Sequence, residues 1–97
     1  LKVACGFAYT AAVTIGGDLY TWGAGENGRL GLGDVQDRHT PCKVENLHNN
    51  KVKQVYAGSV HTCVLTTGGQ VFTFGKHEYT GHGEKADVLS PRLIIAF

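Results

Sequence analysis

Residues 3–23 and 55–75 carry one pattern, 52 residues apart. Val3, Gly6, Thr10, Thr14, Gly16, Gly17, Thr21 and Gly23 return as Val55, Gly58, Thr62, Thr66, Gly68, Gly69, Thr73 and Gly75, and Trp22 aligns with Phe74. Gly31, Gly33 and Pro41 return as Gly81, Gly83 and Pro91 at an offset of 50, so the second copy has lost two residues in between. A sequence that repeats at this period is confined to architectures of equal units, each needing a neighbour to bury its apolar face.

The units read as β-structure. Short runs of β-branched and aromatic residues, punctuated by turn residues, place strands near 1–5, 9–15, 19–23 and 41–45, and again near 52–57, 61–67, 70–75 and 91–97. Gly16-Gly17-Asp18 and Gly68-Gly69-Gln70 supply positive-φ positions for tight hairpins, so valine at Gly16 or Gly68 is expected to destabilise the fold. Four antiparallel strands per period of this length define a propeller blade. The expected fold is therefore all-β: two four-stranded antiparallel sheets, blade one over residues 1–50 and blade two over 51–97. Two blades form only a partial propeller, because closed rings use about 4 to 8. Further blades in cis, or self-association in trans, are implied.

Composition removes several function classes. The 97 residues have a net charge of +1, with Lys and Arg scattered, which gives no electrostatic footprint for nucleic acid or an anionic membrane. Cys5, Cys42 and Cys63 are odd in number and widely spaced, and read as small buried apolar residues in a reducing compartment. With no apolar run of membrane-spanning length and no signal peptide, the expected location is cytoplasmic or nuclear. The start at Leu1 and the apolar end at Phe97 read as a segment of something longer.

The stretch Gly23-x-Gly25-x-x-Gly28 is the literal pattern of a dinucleotide-binding loop. That chemistry needs a helix whose N-terminus faces the pyrophosphate. Here Arg29-Leu-Gly-Leu-Gly-Asp34 follows, and two further glycines oppose a helix by about 1 kcal/mol each. The glycines are expected to serve the backbone, and no cofactor is assigned. His39, His48, His61, His77 and His82 include one close pair, His77 and His82, without cysteine or carboxylate partners at ligand spacing, so no metal is assigned. Ser59, His61 and Asp87 lack a nucleophile-elbow context, and the segment is not expected to be an enzyme.

The order Val-x-x-Gly-x-x-x-Thr, Gly-Gly-x-Leu/Val-Tyr/Phe-Thr-Trp/Phe-Gly, Asn27-Gly-Arg-Leu-Gly-Leu-Gly-Asp34 and Pro41 resembles the repeat of the regulator of chromosome condensation family. It covers nearly the whole chain as two consecutive repeats. In the second copy, Lys76-His-Glu-Tyr-Thr-Gly-His-Gly83 replaces the longer glycine-rich loop. The resemblance implies a propeller and a structural His61, in the family's Gly-x-x-His-Thr pattern, bonding between strands or blades. Gly6, Gly16, Gly17, Gly23, Gly58, Gly68, Gly69 and Gly75 are assigned to backbone geometry, and Trp22 and Phe74 to packing between blades.

Function follows from architecture: a rigid ring with variable loops presents a recognition surface. The leading expectation is a protein-protein interaction module, of the kind the resemblance places in ubiquitin ligases and kinases. Glu26, Asn27, Arg29 and Asp34 are its candidate partner contacts. The alternative is part of a guanine-nucleotide exchange factor for a Ran-type small GTPase. A repeat that only closes the ring is a third reading.

Overall fold

The structure, a computed structural model, describes residues 2–45, 47, 50–76 and 87–96, the side chains of 95 and 96 excepted. It is all-β. Strands β1 (Lys2–Cys5), β2 (Tyr9–Val13), β3 (Leu19–Gly23) and β4 (Arg38–Lys43) form one antiparallel meander. Strands β5 (Val52–Ala57), β6 (His61–Thr66), β7 (Gln70–Gly75) and β8 (Val88–Ala96) form the second, in the same order.

The two hairpins that join β2 to β3 and β6 to β7 are built alike. Thr14 O accepts from Gly17 N at 3.0 Å, and Thr66 O accepts from Gly69 N at 3.1 Å. The Oγ1 atoms of the same threonines accept from Asp18 N and Gln70 N, each at 3.1 Å. Left-handed backbone falls on Gly17 (φ 87°) and Gly69 (φ 83°), not on Gly16 or Gly68. The expectation of strain at Gly16 and Gly68 is therefore corrected: the turn bends after its two central residues, and both first glycines are exposed with open space around them.

Strands β4 and β8 begin three residues before their expected starts, at Arg38 and Val88. Pro41 and Pro91 thus lie inside strands. Both are on edge strands and beside register shifts, between Thr21 and Gly23 in one sheet and Thr73 and Gly75 in the other, where a missing N–H breaks no ladder.

Strand pairing sorts the side chains by face. Tyr9, Ala11, Val13, Leu19 and Thr21 share one face of the first sheet. Val55, Thr62, Val64, Phe72 and Phe74 share one face of the second. These two faces meet as the core, joined by Val44, Leu47 and Val52 from the connection. The connection is fastened by Val52 N to Gly17 O and Thr67 N to Lys51 O, both 2.9 Å.

The opposite faces are not so covered. Thr10, Ala12, Tyr20 and Trp22 are half-buried and Val3 is exposed, while His61, Cys63, Leu65 and Val71 are half-buried on the second sheet. Packing between blades therefore holds for Phe74, which is 0% exposed, but Trp22 stands on the outer face of its sheet. Alternation dictates this split: equivalent positions point the same way in each blade, and only one of the two points at a neighbour.

Candidate functional site

The glycine-rich stretch after β3 leaves its own sheet and straps the second. A single 3-10 turn, Glu26–Gly28, carries Asn27 at φ 66°, and left-handed glycines follow at Gly28, Gly31 and Gly33. A Cβ on Gly28 would lie 2.5 Å from Leu89 Cδ2, and one on Gly31 would lie 2.7 Å from the Phe74 ring. Gly33 N donates to Leu89 O at 2.8 Å, and Asn27 Nδ2 donates to Asp87 Oδ2 at 2.9 Å. Thr21 Oγ1 holds the strap at its root by donating to Leu30 O at 2.7 Å. The glycines of the dinucleotide-like pattern are spent on the same purpose: a Cβ on Gly23 would lie 2.6 Å from Ala8 O, and one on Gly25 would overlap Gln36 O. The chain's own atoms fill the space a phosphate would need, and no long helix follows.

At the centre of the junction is Tyr9. Its ring lies where a side chain on Gly6 would go, and its hydroxyl donates to the carbonyl of His61 and lies 2.9 Å from Thr62 Oγ1. Thr62 Oγ1 in turn donates to Arg29 O at 2.8 Å. Arg29 is only 4% exposed; Nη1 donates to Phe7 O at 2.8 Å, Nε donates to Glu26 O at 2.9 Å, and the guanidinium lies 5.9 Å from the centre of the Tyr9 ring. Burial pushes the Tyr9 phenol above its ordinary range, with the Thr62 hydrogen bond and the Arg29 charge acting in the opposite sense. His61 repeats the placement of Tyr9, its ring lying where a side chain on Gly58 would go.

The four proposed contact residues separate. Glu26 has a side chain 82% exposed. Asp34 is bound to Arg38 Nη2 at 2.9 Å and accepts from Gln36 N at 3.0 Å; these hydrogen bonds hold its carboxyl below the usual range. Asn27 is half-buried on Asp87 and Arg29 is interior, so these two build the strap instead of facing outward. Residue type alone made Arg29 look like a surface charge; its three carbonyl and ring partners come from residues up to 22 positions away.

Two residues escaped sequence reasoning. Phe7 is 70% exposed and Val35 51% exposed. Phe7 is in the β1–β2 turn, which is tied to the strap by Ala24 N donating to Ala8 O at 2.8 Å, and Ala8 itself has φ 63°. The one available signal for Phe7 was that the second repeat has Ser59 there, so the fold does not require an aromatic. At the other end of the sheets an open cleft of about 310 Å³ is lined by Asp18, Lys43, Glu45 and Lys51, whose opposite charges largely offset one another. Among the described residues no group of three or more His, Cys, Asp or Glu is placed to hold a metal. His48, His77 and His82, with Gly81 and Gly83, lie outside the described residues. No helix of the described residues is long and apolar enough to cross a membrane.

Two four-stranded meanders stacked face to face and strapped together define a segment of a β-propeller. The regulator of chromosome condensation (RCC1) repeat model matches residues 16–65, and a second model of the same repeat matches 1–29 and 52–80. This chain belongs to the RCC1 repeat family. The Homo sapiens protein named "Probable E3 ubiquitin-protein ligase HERC3" is 40% identical over 97% of this chain, which spans 9% of that protein. The crystal structure of human WBSCR16 superposes with a TM-score of 0.90 at 27% identity, covering 98% of this chain and 25% of that one. Prp20p from Saccharomyces cerevisiae, whose crystal structure was described with its binding to Gsp1p and histones, superposes with a TM-score of 0.79 at 24% identity, covering 96% of this chain and 26% of that one.

Proposed function

We propose that this chain is a segment of a protein-binding propeller, blade one over 1–50 and blade two over 51–97, in a longer protein of the cytoplasm or nucleus. Recognition, not catalysis, is its task. The observation that carries this reading is the exposed Phe7 beside a strap whose own polar groups are largely consumed, with Glu26 and Val35 outward. An aromatic in solvent that the fold does not need is the residue type from which binding hot spots are made. Likeness to HERC3 supports a docking role beside a ligase domain supplied elsewhere in the parent.

The test is the affinity of the parent protein for its co-purified partner. Phe7→Ser with Val35→Ser is expected to weaken binding at least tenfold, about 1.4 kcal/mol, with melting unchanged. Unaltered affinity would remove this surface from the function. The exchange-factor reading draws on Prp20p and its binding to Gsp1p. It is separated by nucleotide release: acceleration of GDP loss from a Ran-type GTPase by the parent would select it, and no acceleration would discard it.

A further inference from the structure

The inter-sheet contact already present in the molecule is directional, and each outer face repeats one half of it. At the 52-residue offset, the outer face of the first sheet, Val3, Thr10, Ala12, Tyr20 and Trp22, corresponds to Val55, Thr62, Val64, Phe72 and Phe74 on the buried face of the second. The outer face of the second, His61, Cys63, Leu65 and Val71, corresponds to Tyr9, Ala11, Val13 and Leu19 on the buried face of the first. The substitutions conserve volume between the halves. Where the buried junction offers Ala11 and Val64, the outer faces offer Cys63 and Ala12; where it offers Leu19 and Phe72, they offer Val71 and Tyr20. The polar fastening is duplicated as well, with His61 in the place of Tyr9 and Thr10 in the place of Thr62.

We propose that the outer face of the first sheet takes the outer face of the second sheet of another copy of this chain, by the same contact that joins the two sheets within one copy. The occupant is a second copy because the two faces are halves of one interface and are unlike each other: one is aromatic, the other aliphatic with an imidazole. A symmetric dimer would set like on like. The contact is heterologous and leads to a ring or an open array. Each copy contributes two blades, so closure within the propeller range takes about two to four copies.

The experiment is sedimentation velocity on the 97-residue chain and two blocked variants, Trp22→Glu on the first face and Leu65→Glu on the second. The wild type is expected to sediment as a multiple of 10.4 kDa, and each variant alone as the single chain. Mixed, the two variants are expected to form a 1:1 pair, because each retains the face the other lacks. If either variant loses its far-ultraviolet dichroism, Val3→Glu or Val71→Glu replaces it on the same face. A wild type that stays at one chain overturns the proposal and leaves these faces to further repeats in cis. A mixture that stays monomeric, or a dimer that survives in either variant alone, overturns it too, because the directional contact predicts neither.

Discussion

The Tyr9 hydroxyl of the first sheet and Thr62 Oγ1 of the second lie 2.9 Å apart, with Thr62 passing its own proton to the Arg29 carbonyl. This short chain of hydrogen bonds is buried, crosses the junction and joins three segments distant in sequence. Tyr9→Phe is expected to lower unfolding free energy by about 1–2 kcal/mol, since it leaves buried acceptors without their donor. Thr62→Val acts on the same chain, so the pair should couple by at least about 0.5 kcal/mol in a double-mutant cycle. Strict additivity in urea melts would mean the hydroxyl contact contributes nothing.

Tyr9 also sets a pH response. Its phenol is held above the ordinary range by burial, so the native chain keeps a proton that the unfolded chain releases near pH 10. The stabilisation is complete below that pH and is lost as pH rises through the folded value. Stability is expected to fall in alkali, and less steeply in Tyr9→Phe. Identical alkaline limbs for the two proteins would contradict the assignment.

The hairpins offer a position-by-position contrast. Gly17→Ala is expected to cost about 1–3 kcal/mol because the backbone is left-handed there, and its new methyl would lie 2.9 Å from Lys51 Cβ. Gly16→Ala, in open space without positive φ, should stay within about 0.5 kcal/mol of wild type. Equal melting of the two variants would refute the turn geometry.

Strap packing separates from strap conformation in another pair. Gly31 and Gly33 are both left-handed, but only Gly31 faces the Phe74 ring, and nothing lies within 4 Å of a Cβ on Gly33. Gly33→Ala is expected to cost about 1 kcal/mol of backbone strain and Gly31→Ala at least about 1–3 kcal/mol more from overpacking. Calorimetry of both variants checks this, and a larger loss at Gly33 would be the contrary result.

Aromatics at equivalent repeat positions should differ in kind. Phe74→Ala removes a ring with no solvent exposure and is expected to cost about 3–5 kcal/mol in the single chain. Trp22→Ala, on an outer face, should cost well under half of that at dilutions where no assembly forms. Equal losses in guanidinium titrations at such dilution would show that Trp22 is already covered.

Strand number, order and hairpins were legible because period-2 alternation and paired glycines are local signals. Which glycine of each pair bends was not, since Gly16-Gly17 offers two candidates and only the hydrogen bond from Gly17 N to Thr14 O selects one. The early starts of β4 and β8 were hidden by Pro41 and Pro91, which a central strand would exclude and an edge strand tolerates. The site was the least legible part. Arg29, Asn27 and Trp22 have the composition of a surface, but burial is decided by the neighbouring sheet, and no local pattern reports it.

The family's repeat, residues 16–65, begins in the first hairpin and ends in β6, so it takes strands from both sheets. The strap lies wholly inside it, anchored to Leu89 and Asp87 of the following strand. Gene rearrangement that copies or deletes one such unit therefore never yields a free-standing blade; it inserts half of one sheet and half of the next, already stitched to each other. A ring assembled from units of this kind gains or loses members without ever exposing a cut edge at the joint, which makes the number of blades easy to change and the joint hard to break.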